Sequence, residues 1–552
     1  MDKIKNNDIL VDNINQLLHN EGIEFNSRLE IIIQILNYIF HKDETLILNN
    51  INKKIMDLLI NVSISKSEIY QKIFMFYGDK KTKINLNQYY TPITIGDFIS
   101  SLCIINKEII DPACGTGDLI INYNGNLTLW DISNDIIDIC KLNCDLHKKT
   151  YTINNINSIK EFDKNNGLYD YCALNPPFGN STLCIDKHIL NNYELGKNKN
   201  KEEIGILFIE RAINLLKDDG IIFIILPNGY LGNSTKNIKQ LRQYLIKFRI
   251  IAILELPNNT FSRSGTGVST SMLILQKKLM KDNYNIFISK INNIGYILNK
   301  KNTPFKYKTI NGSLILDTDD KPIIDNDFND CIKSLNQFIK DNDINNFNNI
   351  TNDINDYKYE ILKRNDINND ILDINRYLSK YTDIITNFKK NNYKKLQYYI
   401  ETKIQSKFTI INDKEYLYLD IRQVNSPIYN KTNILFGQEL PGRAKIKLNK
   451  YDIIVSKLKG KITFTIILND DDNIISSNGF ALLRPKTFEY GLIIFANLFS
   501  QEFKIQHNSL CTGSILESIT DTDLYNIYIN PDIDVNKYKN IINALITINN
   551  EL

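Results

Sequence analysis

Between residues 86 and 280, short β-branched runs alternate with amphipathic segments, and this alternation restricts the fold more than any other feature of the chain. The runs at 107–111, 127–131, 151–153, 169–174, 221–226, 250–256 and 271–276 read as strands. Strands spaced by helices build a mainly parallel sheet covered on both faces. Between the fourth and fifth runs, Ile204, Leu207, Phe208, Leu215 and Leu216 share one helical face, and Gly220 suits the helix exit. The last two runs are joined by 257–270, which holds Gly265 and Gly267 and has no helix-length amphipathic pattern. They are expected to pair antiparallel, which sets this seven-stranded α/β sheet apart from a plain dinucleotide-binding one.

At 552 residues the chain exceeds what one core usually organises, about 250–300 residues. Over 1–85, Leu29, Ile32, Ile33, Leu36 and Ile39 recur at helical spacing, so an N-terminal helical domain is expected. Residues 281–395 are acidic and Asn-rich and read as a connecting region ending in a helix near 359–378. Residues 396–552 carry short strands and glycines without strand–helix alternation, then a helical tail from Val535, so a β-rich domain is expected.

The net charge of +3 says little about partners, but its distribution says more. Within 442–461 lie Arg443, Lys445, Lys447, Lys450, Lys457, Lys459 and Lys461, opposed along the sequence only by Asp452. A second basic stretch, 389–407, contains Glu401 as its one acid. Such stretches are either solvated faces or the footprint that phosphate binding requires. Eight cysteines are scattered with no C-x-x-C pair, which implies free thiols in a reducing compartment and no zinc ribbon. The N-terminus lacks a charged-then-apolar leader, and the longest apolar run, 221–226, is far short of the ~20 residues of a membrane span. A soluble intracellular protein is expected.

Three segments carry chemistry. Asp111-Pro112-Ala113-Cys114-Gly115-Thr116-Gly117 follows the first strand, where glycines let backbone approach a ligand. The third glycine of a dinucleotide fingerprint is replaced by Ile120, and no G-K-[ST] follows, so a ligand with an amino-acid end and no pyrophosphate fits better. Asp131, twenty positions on, ends the second strand, where a carboxylate can accept from both ribose hydroxyls of an adenosine, with Ile132 packing on the adenine. Asn175-Pro176-Pro177-Phe178-Gly179 follows the fourth strand. Its prolines fix the backbone and leave carbonyls without an intervening amide donor. The Asn175 side-chain oxygen and the Pro176 carbonyl can each accept one N–H of an exocyclic amine, freeing its lone pair, while Phe178 offers a stacking face. A base inside a duplex would have to flip out to reach such a turn.

Together these segments resemble the amino-methylating DNA methyltransferases, most closely the modification subunits of type I restriction systems. Gln88-Tyr89-Tyr90-Thr91-Pro92, Leu226-Pro227-Asn228-Gly229, Phe261–Gly267, and Arg364, Asn365, Asp366 and Arg376-Tyr377 fall in the family's order. The resemblance implies a seven-stranded methyltransferase fold, with Tyr90, Thr91, Asp111, Ala113, Gly115, Gly117, Asp131 and Ile132 holding S-adenosylmethionine. It assigns Asn175, Pro176, Pro177 and Phe178 to the adenine of double-stranded DNA. Where the family often places an acid after the third strand, this chain has Asn157. The stretch from Lys450 to Ser456, Ser477–Phe480 and Thr512-Gly513-Ser514 before Asp523-Leu524 resemble the target recognition domain of type I specificity subunits. There Arg443, Lys445, Lys447, Lys457, Lys459 and Lys461 would track phosphates.

One such domain fits an asymmetric site or a palindrome read by a homodimer. A separate restriction subunit is compatible with the resemblance, and with no D…E-x-K arrangement evident, no cleavage by this chain alone is expected. No metal ligand cluster is evident either. The competing readings are a protein-glutamine or RNA amino-methyltransferase, which also need to hold a planar amine, and a DNA-binding module whose methylase part has decayed.

Overall fold

The computed structural model describes residues 2–41, 50–60, 73, 91–178, 183–262, 267–298, 304–318, 320–348, 357–368, 370–402, 408–468 and 473–551. The chain divides into two compact units, Met1–Leu372 and Asp373–Leu552.

The first unit begins with α1 (Asp2–Asn20), α2 (Phe25–His41) and α3 (Asn50–Ile60). Ile14, Leu18, Ile32, Leu36 and Ile55 turn inward to a shared apolar cluster that also takes in Ile136, Ile139 and Leu142. The described helices of the region expected to be helical, α1 to α3, therefore pack on the flank of the sheet domain, and 61–72 and 74–85 lie outside the described residues. Then come α4 (Ile93–Leu102), β1 (Ile109–Asp111), β2 (Leu127–Asp131), α5 (Asn134–Leu146), β3 (Tyr151–Asn155) and β4 (Tyr169–Leu174). They are followed by α6 (Ile204–Leu215), β5 (Leu216–Pro227), α7 (Lys236–Leu245), β6 (Phe248–Glu255) and β7 (Thr270–Leu279). The unit ends with β8 (Asn285–Lys290), α8 (Phe328–Asp341) and β9 (Glu360–Lys363).

The strands form one sheet in the order β3-β2-β1-β4-β5-β7-β6-β8-β9. β1 to β5 run parallel, and β7 is antiparallel to both β5 and β6. The first seven strands are the methyltransferase arrangement with its closing antiparallel pair. Ile221 to Leu226 in central β5 are fully buried, as an interior strand covered on both faces requires.

Several elements depart from the sequence reading. The expected boundary at 280 falls inside the sheet, because β8 adds parallel to β6 and β9 adds antiparallel to β8. The helix expected over 359–378 is instead β9 followed by two 3-10 turns, Arg364–Asp366 and Ile374–Arg376. The free edge of β8 offers a ladder, and Tyr359 stacks on Phe287 at 4.5 Å, so tertiary pairing overrides helical spacing. The long helix of this region is α8, which buries Phe328, Cys331, Leu335 and Phe338 in the main core. α6 ends at Leu215, so Gly220 lies within β5 and not at the helix exit. Between β1 and β2 the chain makes successive turns closed by Gly117 N to Cys114 O and Ile120 N to Gly117 O, with no helix after the glycines.

The second unit contains α9 (Ser379–Lys390), β10 (Glu415–Leu419), β11 (Ile434–Phe436), β12 (Ala444–Lys447), β13 (Ile453–Ser456), β14 (Phe464–Ile466), β15 (Ile474–Ser477) and β16 (Phe480–Leu483). One sheet runs β11-β10-β15-β12 and another β14-β13-β16. Helices α10 (Phe488–Leu498), α11 (Gln501–Leu510) and α12 (Val535–Glu551) follow, the first two unanticipated. Phe464, Phe495 and Phe499 meet edge to face where helix and sheet pack. No helix of the described residues is long and apolar enough to cross a membrane.

Candidate active site

From β1 the chain runs outward through β2 and β3, then returns to β4 on the other side of β1. The carboxyl ends of strands diverge at such a reversal and leave a crevice. A cavity of about 400 Å³ occupies it. Its wall brings together Thr91, Asp111, Ala113, Gly115, Asp131, Ile132, Asn157, Asn175 and Pro177 from the residues singled out in the sequence.

The glycine loop is tied to the end of β2 by one carboxylate. Gly115 N donates to Asp131 Oδ2 at 3.0 Å, and Ser133 N donates to Oδ1 at 2.9 Å. Gly115 has φ +52°, and a Cβ there would meet no atom within 4 Å, so its open side faces the cavity. Gly117 differs. It does not line the cavity, and its Cβ would lie 2.9 Å from Cys140 Sγ, so packing against α5 and a φ of +85° require that glycine. Asp111 is fully buried and accepts from Ala113 N at 3.1 Å. Burial, reinforced by the charge of Asp131, pushes its carboxyl up to about 8, and burial also raises that of Asp131. Among the described residues no basic side chain pairs with either acid. Among the described residues, the site therefore holds two carboxyl groups whose ionised forms meet no cation.

At the end of β4, Asn175 Nδ2 donates to Thr91 Oγ1 at 3.1 Å, 84 positions away in sequence. Asn175 Oδ1 is buried and has no hydrogen-bond partner among the described residues. A buried carbonyl oxygen left without a donor costs roughly 1–3 kcal/mol, so this one is ready for an N–H from outside the chain. Pro176 is buried and Pro177 lines the cavity. Phe178 does not line it. The residue is 8% exposed and meets Tyr230 at 6.3 Å with the two rings nearly perpendicular.

Asn157 lines the cavity, but its Oδ1 already accepts from Ile159 N and Lys160 N at 3.2 Å. The polar group it has left to offer is the amide nitrogen, which donates, whereas the acid of the family would accept. A further part of the wall was not assigned to the site from the sequence: Cys114, Leu183, Ile185, Ile189, Ile204 and Phe208. Ile204 and Phe208 were legible only as one face of α6. Tyr90, Gly179 and Arg263 to Thr266 lie outside the described residues. Among the described residues no cluster of three or more metal-ligating side chains occurs.

In the second unit, acids from distant positions answer much of the basic stretch. Arg443 meets Asp420 at 3.0 Å, Lys457 meets Asp521 at 2.7 Å, and Lys459 pairs with Glu517. Asp452, the one acid within the stretch, is buried and held by Arg484 at 2.7 Å. Lys445 and Lys461 are exposed and carry no ion pair among the described residues.

Residues 66–359, just over half of the chain, match the N-6 DNA methylase family. The type I restriction enzyme MpnII methylase subunit of Mycoplasma pneumoniae is 24% identical over 325 residues, covering 52% of this chain and 56% of that protein. The type II methyltransferase M.HincII of Haemophilus influenzae is 30% identical over 220 residues, covering 38% of this chain and 40% of its own. The chain thus spans about half the length of the curated relatives it matches. A crystal structure of the methyltransferase subunit of a Streptococcus thermophilus type I restriction-modification system aligns over 67% of this chain and 79% of its own, with a TM-score of 0.43 and 17% identity.

Proposed function

The chain belongs to the N-6 DNA methylase family, and from that premise we propose that it transfers the methyl group of S-adenosylmethionine to the N6 amine of an adenine flipped out of duplex DNA. The observation that carries the reading is the buried Oδ1 of Asn175, unpartnered among the described residues, in the wall of a cavity where Asp111 and Asp131 pair with no described cation. Asp131 would hold the ribose hydroxyls, and Asp111 the cationic amino-acid end. Gly115 leaves room for backbone contact, and Ile132 presents apolar surface for the adenine of the cofactor. When bound, S-adenosylmethionine supplies a sulfonium-activated methyl group, which needs no further activation by the protein.

The chain's own contribution is then positioning. An exocyclic amine is a poor nucleophile while its lone pair is delocalised into the ring. Asn175 Oδ1 and the Pro176 carbonyl would each accept one N–H, holding the nitrogen pyramidal with its lone pair toward the donor. The methylated nitrogen then releases one proton to solvent water and regains neutrality. Sequence specificity is assigned to the second unit, with Lys445 and Lys461 as its exposed phosphate contacts, Lys447 as a further candidate, and Arg443, Lys457 and Lys459 as candidates whose acids DNA would have to displace. Duplex DNA is the proposed partner, and its methylation within a restriction-modification system the proposed role.

The test is to map modified bases in DNA from cells expressing the chain. N6-methyladenine in one recurring context is expected. Unmodified adenine throughout, with the protein folded and S-adenosylmethionine bound, would overturn the reading.

A further inference from the structure

An asparagine can grip an amine only if its amide faces the right way round, because Oδ1 accepts and Nδ2 donates. The last torsion of asparagine is soft and nearly two-fold, so nothing within the residue makes that choice. It has to come from a neighbour. Among the described residues that neighbour is Thr91, whose Oγ1 accepts from Nδ2, while Oδ1 of this cavity-lining residue is left without a partner.

Thr91 is itself firmly placed. It is 6% exposed and directly precedes Pro92, the N-cap of α4. That helix is anchored by Thr94 Oγ1, which donates to Ile294 O at 2.6 Å. At Gly96 the helix backbone lies so close to the turns after β1 that a Cβ would fall 2.5 Å from Asp118 O. The threonine hydroxyl is thus fixed relative to both the glycine loop and the end of β4.

We propose that Thr91 is a positioning residue whose side-chain oxygen accepts the Asn175 amide N–H and so turns Oδ1, not Nδ2, toward the reacting amine. This rests on the methyltransferase reading above and differs from the cofactor contact that the resemblance assigns to Thr91. Without the hydroxyl, the buried NH₂ group loses its acceptor and rotates toward the open cavity. There it presents N–H to a substrate that also presents N–H, and methyl transfer slows. Asp111, Gly115 and Asp131 do not depend on this bond, so the cofactor is still held.

The experiment uses the full chain with Thr91→Val, Thr91→Ala and Thr91→Ser. Methyl transfer from labelled S-adenosylmethionine to unmodified DNA of mixed sequence gives kcat, and equilibrium dialysis gives the cofactor Kd. Thr91→Val and Thr91→Ala are expected to lower kcat by at least about tenfold, the scale of one lost buried hydrogen bond. Their cofactor Kd should move by less than about twofold, and Thr91→Ser should recover most of kcat. A raised Kd with unchanged saturated kcat would make Thr91 a cofactor contact and overturn the proposal. Failure of serine to rescue would reduce the role of Thr91 to packing and overturn it equally.

Thermal melts supply a readout free of activity. Thr91→Ala should lower Tm in the wild-type background and leave it unchanged in an Asn175→Ala background. Additive shifts would show that the two side chains are not coupled. If wild-type protein methylates no DNA adenine, the functional reading fails, while the melts still decide whether Thr91 holds the Asn175 amide.

Discussion

In the cavity of the first unit, the carboxyl groups of Asp111 and Asp131 meet backbone N–H donors and no described cation. In the second unit, Arg443, Lys457 and Lys459 meet acids at 3.0 Å or less. Both regions are charged, but only the first leaves charge unanswered in a buried place. Uncompensated buried carboxyl groups are costly and draw in a cationic ligand, whereas matched surface pairs contribute little and attract little. Under the proposed function, the first region is therefore the expected seat of methyl transfer and cofactor binding, and the second the expected site of DNA recognition. Variants in each should leave the other's measurement untouched.

The largest effect expected is that of Asn175→Ala. Removing the buried, unpartnered Oδ1 of this cavity-lining residue should cut kcat by about two to three orders of magnitude, as loss of a preorganised polar group commonly does. Cofactor Kd and DNA affinity should stay near wild type. Wild-type turnover in this variant would dissolve the contrast, because the first unit would then hold no chemistry at that turn. Next in size is Asp131→Ala, which frees Gly115 N and Ser133 N together. Charge-assisted hydrogen bonds are worth roughly 1.5–3 kcal/mol, so cofactor Kd measured by dialysis should rise about 10- to 100-fold. An unchanged Kd would show that Asp131 only braces the loop.

The parts of this arrangement that were legible in sequence are those where backbone geometry dictates residue type locally. Gly115 at positive φ, the acid closing β2 and the Asn-Pro-Pro turn after β4 are fixed within a few residues of a strand end. The central strands announced themselves through continuous apolar runs such as Ile221 to Leu226. Elements that depend on distant partners were not legible. β9 exists because β8 has a free edge, and nothing at 360–363 says so. α8 was hidden differently: Phe328, Cys331, Ile332, Leu335, Phe338 and Ile339 have a clear helical period, but the acid content of the region outweighed it. The basic stretch looked nearly unopposed because Asp420, Glu517 and Asp521 lie outside it in sequence. Phe178 resembled a stacking platform, and nothing in its local sequence says that the residue is buried and does not line the cavity.

A smaller effect separates stability from function within the cavity. The Asp111 carboxyl is raised from an ordinary 3.8 to about 8, mainly by burial. A folded-state pKa above the unfolded one means stability is fully present below about 4 and is lost as pH rises through about 8. Asp111→Asn keeps an acceptor for Ala113 N but never ionises. In the cofactor-free protein it should raise Tm by roughly 2–4 °C at pH 8.5 and change it little at pH 4.5. The same variant should weaken cofactor binding. A Tm that falls at pH 8.5 would mean the carboxylate is comfortable where it is, and the idea of an unanswered charge would fail for this residue.

The smallest effects belong to the second unit, and their order is informative. Lys445 and Lys461 are exposed without described ion pairs, so a phosphate can meet them directly. Lys459 must first leave Glu517, and Lys457 must leave Asp521. Each phosphate contact contributes about 0.9 to the slope of log K against log salt. Lys445→Ala and Lys461→Ala should each lower that slope by about this amount and weaken DNA binding a few-fold, with cofactor Kd unmoved. Lys459→Ala should do less, because the glutamate it leaves behind was already cancelling it. Glu517→Gln should strengthen binding by releasing Lys459 toward phosphate. If Lys459→Ala instead outweighs Lys461→Ala, DNA draws the paired lysines away from their acids, and compensation in the free protein ceases to predict which charges bind.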